Sequence, residues 1–362
     1  MEYHRIPYEE TRRFCAAVFA GYGFSAEESA DITEVLLDAD LSGIESHGIQ
    51  RLNRYHTEIT SGMVDIHAVP ETVKNTPISA TVEAHDAMGQ LVGREAMKLA
   101  IKKAKKVGIG MVSVRNSNHY GIAGYYTRMA AKEGLIGICM TNSEAIMVPT
   151  FGRQAMLGTN PIAFSMPAEP IPFTFDAATT VVPRGKLEVS AKRDGVICDG
   201  WALDETGHPC SEAERVLKNI IGKTGGGILP LGGAGEETSG YKGYGFGMIC
   251  EICTGIFSGG LTSNYVSRTP GKARMCHFFA AIDYGIFGEK EELEAALSKY
   301  LQELRDADKA VGQSRIYTHG EKEFEARQQV LEHGIPINEK TYAEMQIIAA
   351  YSGTEALLPR YI

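Results

Sequence analysis

The connections between the apolar segments in the middle of this chain limit its fold more than any other feature. Five segments have the length and composition of buried β-strands: Ile109–Val114, Leu135–Met140, Ile162–Met166, Pro172–Phe175 and Phe278–Ile282. Glycine and proline separate them, and several connections leave no room for a crossover helix. Because neighbouring parallel strands need a crossover of about a dozen residues or more, the sequence predicts an α/β protein with a mixed, largely antiparallel sheet.

Helical patterns occupy both ends of the chain. Tyr8–Gly21 is a first candidate, and Ser25-Ala26-Glu27-Glu28 is a capping box that begins a second helix. Three more helices are predicted near the carboxyl terminus, over Lys290–Lys309, Gly320–Glu332 and Asn338–Tyr351. We therefore predict that a helical region of residues 1–75 is joined by residues 289–362. Residues 76–288 would form the α/β region that binds cofactor and substrate.

Charge and hydropathy exclude two classes of partner. The net charge is −9, whereas a nucleic-acid surface needs a clustered excess of lysine and arginine. The one basic run, Lys102 to Lys106, belongs to an amphipathic helical pattern and is interpreted as a solvated face. No segment has the roughly 18 apolar residues of a membrane span, and the start of the chain lacks a signal-peptide core. The sequence predicts a cytoplasmic protein that binds neither nucleic acid nor membrane.

The cysteines suit a reducing compartment. There are seven, an odd number, without the spacing of a disulfide framework. Cys250 and Cys253 have the spacing of a redox or metal pair, but no second pair accompanies them. We interpret both as small buried helix residues and predict no metal site.

One short segment combines three kinds of chemistry. Ser46-His47-Gly48 is followed by Arg51 and Tyr55 at steps of four. If residues 46–60 form a helix, these side chains lie on one face. The arginine fork matches a carboxylate, and an imidazole can move a proton near neutral pH. The segment is therefore a candidate site for a small acid with a neighbouring hydroxyl or carbonyl group.

A glycine-rich stretch is the second candidate site. Residues 222–247 contain eleven glycines in 26 positions and are followed by an apolar helical pattern. Glycines let backbone amides approach phosphates closely, and a helix amino terminus favours anions. Lys242 could pair with a phosphate there. Gly21-Tyr22-Gly23-Phe24-Ser25-Ala26 also fits a dinucleotide fingerprint, but a predicted helix precedes it where the fingerprint requires a strand. We interpret it as a chance match.

Polar loops follow or precede several of the predicted strands. They are Asn116–Gly121, Thr141–Ser143, Gly158–Pro161 and Asp176–Thr180. Each loop alone is explained by turn chemistry. Functional loops usually lie at strand ends, so four such loops together point to a site.

Taken together, these motifs resemble the malate/L-lactate dehydrogenase family, which is unrelated to the Rossmann-type enzymes. The matching segments are Ser46–Leu52, Asn118–Gly121, Gly158–Phe164, Trp201–Asp204 and Leu231–Gly245. They occur in order over nearly the whole chain. The resemblance implies an oxidoreductase that uses NAD or NADP, a non-Rossmann cofactor domain, and a homodimer with active sites near the subunit interface.

The resemblance also implies roles for individual residues. His47 matches the acid/base histidine and His119 is the second choice. From its position at the end of a predicted strand we add the hypothesis that Asp176 orients His47 and raises its pKa. Substrate contacts are expected from Ser46, Arg51, Tyr55 and Thr159. Cofactor contacts are expected from His119, Asn142, Asp176, Ala177, Ala178, Thr179, Tyr241, Lys242, Gly320 and Glu321. Where the family commonly has Pro-Gly-Glu, this chain has His319-Gly320-Glu321.

The substrate is less well defined than the reaction. The family acts on 2-hydroxy and 2-keto acids, and the loop at Gly235-Glu236-Glu237 is similar to that of malate-type members, which favours malate and oxaloacetate. The alternatives are lactate, ureidoglycolate, sulfolactate or diketogulonate, and a cyclic imine acid. A non-catalytic ligand-binding protein would keep the arginine but has no need of the proton donor.

Overall fold

A seven-stranded sheet forms the centre of the molecule. The computed structural model describes residues 3–191 and 195–362. Within them the strands are β1 Tyr3–Ile6, β2 Glu71–Asn75, β3 Ser79–Glu83, β4 Ile109–Ser117, β5 Ile136–Thr141, β6 Ile162–Met166, β7 Phe173–Ala177, β8 Ala202–Leu203, β9 Gly227–Ile228, β10 Met275–Ile282 and β11 Ile335–Asn338. The α-helices are α1 Tyr8–Gly21, α2 Ala26–Leu41, α3 Leu52–Thr60, α4 Gly89–Val107, α5 Ala123–Lys132, α6 Arg184–Ala191, α7 Ala213–Gly222, α8 Gly240–Glu251, α9 Lys290–Asp306, α10 Glu321–His333 and α11 Glu339–Ser352.

The strand order confirms the predicted mixed, largely antiparallel sheet. It is β2-β3-β4-β10-β5-β6-β7. Among the described residues of this sheet only β3 and β4 pair in parallel, and the helix α4 connects them. The β6–β7 connection is a short hairpin, as its length requires.

The strand directions bring the polar loops to one edge of the sheet. β10 is antiparallel to both β4 and β5, and β6 is antiparallel to both β5 and β7. Strands β4, β5 and β7 therefore run in the same direction. Their carboxyl ends lie at the same edge as the amino ends of β6 and β10.

Helices cover the sheet on both faces. α4 and α5 pack on one face over a core that includes Val112, Val114 and Phe279. On the other face lies α8, which continues into a π-helical turn at Ile252–Ile256 that packs against β10. No helix in the described part of the chain is long and apolar enough to cross a membrane.

Helices from both termini share a second core. β1 pairs with β11, and the buried side chains of α1, α2 and α11 pack together around Phe14, Leu36 and Ile348. The predicted capping box is confirmed, since Ser25 Oγ accepts from the Glu28 amide at 3.2 Å and the Glu28 carboxylate accepts from the Ser25 amide at 2.8 Å. Together they satisfy two of the donors that a helix start leaves open.

α9 bridges two parts of the protein. Its Lys290 donates to the carbonyl of Gly134 at 2.7 Å, and its Ser298 hydroxyl accepts from the Glu169 amide at 2.8 Å. Its last turn carries Arg305, which pairs with Glu321 at 2.9 Å. α9 thus contacts the α/β region as well as α10.

A small third core was not predicted from the sequence. It is formed by α6, α7, β8 and β9, and includes Leu187, Val216 and Ile228. β8 and β9 have two residues each, too few for a periodic pattern to be recognised.

The predicted single helix over residues 46–60 is wrong. Two 3-10 turns, Glu45–His47 and Ile49–Arg51, precede α3. Gly48 separates them with φ −87° and ψ −142°. The buried carboxylate of Asp40 fills the space beside Gly48 and accepts from the Ile49 amide at 2.7 Å. A tertiary hydrogen bond, which the local pattern does not reveal, therefore interrupts the helix.

This close approach makes Gly48 sensitive to substitution. A Cβ atom at Gly48 would lie 2.1 Å from Asp40 Oδ1. We expect Gly48→Ala to lower the free energy of unfolding by about 1–3 kcal/mol, the usual cost of overpacking, and to lower the Tm measured by calorimetry. The matched control is Gly288→Ala, where the nearest atom would be 3.9 Å away. Equal Tm values for the two variants would contradict this account of the turn.

Candidate active site

Two imidazoles and a phenol meet where the terminal helices contact the edge of the sheet. His47 comes from the first 3-10 turn, Tyr55 from α3, and His119 from the loop after β4. The rings of His47 and His119 are stacked with centroids 5.8 Å apart. The Tyr55 hydroxyl lies 2.7 Å from His119 Nδ1. Although residues 46–60 are not one helix, the expected polar groups converge.

His119 is held at one ring nitrogen. Its Nδ1 accepts from the Gly121 amide at 3.4 Å as well as contacting Tyr55. Burial lowers the pKa of His119 well below its usual range, and the nearby Arg54, His47 and Arg51 add to this effect. Burial also raises the pKa of Tyr55, which is 1% exposed. At neutral pH the imidazole is therefore uncharged and the phenol keeps its proton.

His47 is also uncharged at neutral pH. Burial lowers its pKa to about 4, with smaller contributions from Arg51 and Arg54. Its Nδ1 lies 2.8 Å from Ser46 Oγ. The pKa of His47 is thus lowered, whereas a carboxylate partner would have raised it.

Asp176 has a different partner from the one expected. It accepts from the Gly124 amide at 2.7 Å, at the start of α5. Burial raises its pKa to about 6, against the opposing effects of this hydrogen bond and of Arg128. Within residues 3–191 and 195–362 no hydrogen bond or ion pair joins Asp176 to His47. Asp176 lies opposite Ala163 in the β6–β7 ladder, on the face covered by α5, and its carboxylate is engaged by the start of that helix instead of by His47.

Arg51 presents its guanidinium at the same place. Its Nε donates to the Ser46 carbonyl at 2.5 Å, which fixes the plane of the group. Among the described residues neither Nη atom has a hydrogen-bond partner. Its nearby charges include Arg54, Glu188 and Arg184, the last two from α6. The outer edge of the fork is thus available to a carboxylate.

Thr159 and Thr179 tie the loops before β6 and after β7 to the glycine-rich stretch. Thr179 donates to the Thr159 carbonyl through its amide at 2.8 Å and its hydroxyl at 3.1 Å. The Leu231 amide donates to the Thr179 carbonyl at 2.9 Å. Ala177 and Ala178 lie between Asp176 and this junction. The structure thus brings the loops at Thr159 and Thr179 together with the glycine-rich stretch at Leu231, as a binding site shared between them requires.

Tyr241 and Lys242 lie at the open start of α8. Tyr241 is 49% exposed, and Lys242 Nζ lies 5.8 Å from the centre of its ring. No side chain caps α8. An uncapped helix start beside a lysine suits a phosphate group.

Two expected cofactor residues have side chains committed to the protein itself. Asn142 is buried; its Oδ1 accepts from the Cys276 amide and its Nδ2 donates to the Leu261 carbonyl, both at 2.8 Å. Glu321 is buried between Arg305 at 2.9 Å and Arg315 at 3.0 Å. Any effect of these two side chains on a ligand is therefore through the loops that they hold.

Gly320 lies beside β7, where the departure from Pro-Gly-Glu falls. Its φ is +104°, and a Cβ atom would lie 2.9 Å from the Pro172 carbonyl oxygen. The His319 ring packs edge-on against Phe173 at 5.7 Å and Phe175 at 5.3 Å, and its carbonyl accepts from the Thr174 amide. These contacts of His319, which occupies the position of the family's proline, hold the loop before α10 against β7.

The sequence reasoning missed His277. This histidine lies fully buried in β10, with Nδ1 2.7 Å from Thr141 Oγ1 and Nε2 3.2 Å from the Asn118 carbonyl oxygen. It stacks on Tyr120 at 4.4 Å, and burial lowers its pKa to about 3. It therefore positions the loop that carries His119. A single histidine in an apolar strand offers no signal of this role.

A buried network behind Thr159 was also missed. Asn160 Nδ2 donates to Glu251 at 2.8 Å, and the Ser263 amide donates to the same carboxylate at 3.1 Å. Cys250, fully buried, donates to the Asn160 carbonyl at 3.1 Å. The network anchors the loop before β6 to α8. In the described part of the chain no group of histidine, cysteine, aspartate or glutamate has the arrangement of a metal site.

Fold and site together define an enzyme in which an arginine fork, two imidazoles and a glycine-rich loop surround one edge of a non-Rossmann sheet. The sequence profile described as malate/L-lactate dehydrogenase matches residues 6–346. The malate dehydrogenase of Pyrococcus horikoshii is 44% identical over 98% of this chain and 97% of its own. The L-sulfolactate dehydrogenase of Methanocaldococcus jannaschii is 34% identical over 94% and 95%. The crystal structure of malate dehydrogenase from Entamoeba histolytica superposes with a TM-score of 0.94 at 34% identity, covering 97% of this chain and 99% of that one.

The chain belongs to the malate/L-lactate dehydrogenase family. It is an oxidoreductase of the dehydrogenase class, and the family implies a nicotinamide cofactor and a small hydroxy or keto acid as substrate. The resemblance inferred from the sequence motifs is confirmed.

The electrostatics of the site predict how its histidines titrate. Arg54 lowers the pKa of both His47 and His119. The positive charge of Arg54 repels a proton on either imidazole, and among the nearby charges it has the largest effect at His119. We therefore expect Arg54→Gln, which removes this charge and leaves the carboxylate of Glu58 in place, to raise both pKa values, with the larger rise at His119. NMR titration of the ring protons measures this. Arg54→Lys keeps the charge and serves as the control; a fall in either pKa in Arg54→Gln would refute the assignment.

Proposed function

We propose that this enzyme interconverts malate and oxaloacetate, with NAD or NADP as the coenzyme. The observation that carries the proposal is the convergence of the Arg51 fork with His47 and His119. The names of the Pyrococcus and Entamoeba relatives support malate over other 2-hydroxy acids.

The residues present suit a dinucleotide. Lys242 and the uncapped start of α8 would receive the pyrophosphate. The loop from Asp176 to Thr179, already joined to Leu231, would contact the nicotinamide half, whereas Gly320 lies at the amino end of β7. Asn142 and Glu321 hold two of these loops in place. When bound, the nicotinamide supplies or receives the hydride.

The protein's own groups bind, orient and move a proton. Arg51 receives the carboxylate next to the reacting carbon and sets its orientation. Ser46 and Thr159 supply further hydrogen bonds. His47 gives the proton to the oxygen in the reductive direction and takes it from the hydroxyl in the oxidative direction. His119 lies against His47 and faces the same oxygen.

Substrate charge tunes the proton transfer. In the free enzyme Arg51 lowers the pKa of His47. A bound carboxylate neutralises that guanidinium, so the pKa of His47 rises on binding. The imidazole is thus unprotonated before a substrate binds, and a larger fraction of it carries the proton to be donated once a carboxylate is in place.

We further propose that the enzyme is a homodimer. The outer face of α8 and the following π-turn carries large apolar side chains that are between 42% and 59% exposed: Phe246, Ile249, Ile252, Ile256 and Phe257. Apolar patches of this kind mark interaction sites. Because the same helix begins at Tyr241 and Lys242, a dimer formed through it would lie next to the cofactor site.

The cytoplasm is the proposed compartment. All seven cysteines are free thiols, and five of them are buried. This pattern suits a reducing environment.

The direct test follows the absorbance of NADH and of NADPH with oxaloacetate, pyruvate, other 2-keto acids and a cyclic imine acid. Oxidation of one coenzyme with oxaloacetate is the expected result, and the same assay identifies the coenzyme. Turnover of only another keto acid or of the imine would reassign the substrate. Failure to bind either coenzyme by fluorescence would overturn the enzymatic proposal.

The proposed contact between the Arg51 guanidinium and the substrate carboxylate predicts the effect of a conservative substitution. Arg51→Lys keeps the charge but loses the planar fork. We expect the KM for oxaloacetate to rise roughly ten- to a hundredfold, the effect of losing a hydrogen bond to a charged group worth about 1.5–3 kcal/mol. The KM for the coenzyme serves as the internal control and should not change. An unaltered KM for oxaloacetate would remove Arg51 from the substrate site.

The proposed dimer predicts what a charge introduced into the exposed apolar face of α8 and the following π-turn would do. Ile252→Glu places an unpaired carboxylate in the proposed interface, so light scattering should report a monomer, because burying an isolated charge is strongly unfavourable. Val69→Glu, at a side chain that is 79% exposed, should remain dimeric. A monomeric unsubstituted protein would contradict the proposal.

A further inference from the structure

Arg51 and Arg54, three positions apart, line one cavity. The cavity has a volume of about 480 Å³ and lies between α3 and the start of α11. Arg51 also donates through Nε to the Ser46 carbonyl at 2.5 Å, in the segment that carries His47. The cavity therefore extends from the residue that the proposed function assigns to the substrate carboxylate towards Arg54, in the first turn of α3.

Arg54 has more hydrogen-bonding capacity than the protein uses. Its Nε donates to Glu58 Oε1 at 2.7 Å, one turn further along α3, and Glu58 is buried. Among the residues that the structure describes, neither Nη atom of Arg54 has a hydrogen-bond partner. The contact at Nε fixes the plane of the guanidinium, and the remaining N–H groups are available to a carboxylate in the cavity.

The charge of Arg54 reaches the groups that would react. Tyr55, the next residue, has its hydroxyl 2.7 Å from His119 Nδ1. After burial, Arg54 makes the largest contribution to the lowered pKa of His119, and after burial and Arg51 it also contributes at His47. Two cations held this close to each other and to the histidines repel, and a ligand with two negative charges relieves that repulsion.

The spacing of the two arginines matches a four-carbon diacid. Arg51 directly precedes α3 and has helical backbone angles, φ −82° and ψ −7°. Side chains three positions apart on a helical turn have Cβ atoms roughly 5–6 Å apart. The two carboxyl carbons of such an acid are about 4 Å apart, because three carbon–carbon bonds of about 1.5 Å join them. Two flexible arginine side chains that start this close together can each contact one end of the acid.

We propose that Arg54 is the specificity-determining residue of this site and binds the second carboxylate of a four-carbon dicarboxylic acid. Arg51 holds the carboxylate next to the reacting carbon, and the other end of the acid lies in the cavity against Arg54. A 2-keto acid with a single carboxylate, such as pyruvate, leaves Arg54 unpaired and so binds less tightly. The assignment rests on the proposed function and deepens it, since it gives the physical basis for a preference for malate and oxaloacetate.

Arg184 is the other cation near Arg51. It lies at the start of α6, and its charge reaches Arg51. It pairs with Glu188 at 3.0 Å and is not among the described residues that line the cavity. Arg184 is therefore the matched comparison for Arg54. The remaining charged residues that line the cavity are Glu58, Lys340 and Glu344.

The first experiment compares two acids that differ by one carboxylate. Succinate and butyrate have four carbons each and no 2-keto or 2-hydroxyl group, so neither is turned over. Calorimetric titration of the full-length protein, alone and with NADH or NADPH, measures the Kd of each acid. We expect succinate to bind roughly ten- to a hundredfold more tightly than butyrate, the effect of a hydrogen bond to a charged group. Equal affinities would overturn the proposal, whether or not oxaloacetate is turned over.

The second experiment removes the proposed contact. Arg54→Gln should weaken the binding of succinate roughly ten- to a hundredfold and leave that of butyrate nearly unchanged. Arg54→Lys keeps the charge beside Glu58 but loses the planar fork, so its preference should be intermediate. Arg184→Gln should keep the full preference for succinate. Loss of the preference in Arg184→Gln, or its survival in Arg54→Gln, would overturn the assignment.

The third experiment follows turnover. Arg54→Gln also changes the histidine pKa values, but this effect on proton transfer is common to all 2-keto acids. The ratio of kcat/KM for oxaloacetate to kcat/KM for pyruvate removes the common effect. We expect this ratio to fall roughly ten- to a hundredfold in Arg54→Gln, through a higher KM for oxaloacetate. An unchanged ratio would contradict the role of Arg54. If the unsubstituted enzyme turned over no 2-keto acid, the proposed function would fail, and the comparison of succinate with butyrate would still decide the role of Arg54.

Discussion

The antiparallel placement of β10 between β4 and β5 is the constraint on which the rest of the structure depends. Because β10 enters from a distant part of the sequence and runs against both neighbours, β4, β5 and β7 point the same way. The loops after these strands, and the one before β6, then share an edge. The terminal helices pack against that edge through Tyr55, whose phenol reaches His119. The site exists only where these two parts of the chain meet.

Burial rather than ion pairing sets the chemistry of this site. His47 and His119 are kept uncharged because they are desolvated and lie near arginines. A carboxylate beside His47 would have made it cationic in the free enzyme. Asp176 instead satisfies the start of α5, and in the proposed mechanism the negative charge that the histidines need arrives with the substrate. This mechanism would couple proton transfer to substrate binding.

Sequence patterns predicted the elements that have a strong local signal. Tyr8–Gly21 and Ile162–Met166 have the predicted bounds, since helix and strand periodicity are set by nearby residues. The prediction failed where a distant group intervenes. Asp40 breaks the expected helix at Gly48, and the start of α5 takes the carboxylate of Asp176 that was expected beside His47. The short elements of the third core have no periodicity at all.

By itself, the sequence determined the mixed sheet, the helices at both ends, the family, and the residue types that meet at the site, because strand length, connection length and motif order are properties of the chain. Only the tertiary structure decided which groups touch. It joined Tyr55 to His119, committed Asn142 and Glu321 to loop anchoring, and placed His277 behind the loop that carries His119. The physical reason is that hydrogen bonds and desolvation depend on distances between residues far apart in sequence, and no local pattern encodes those distances.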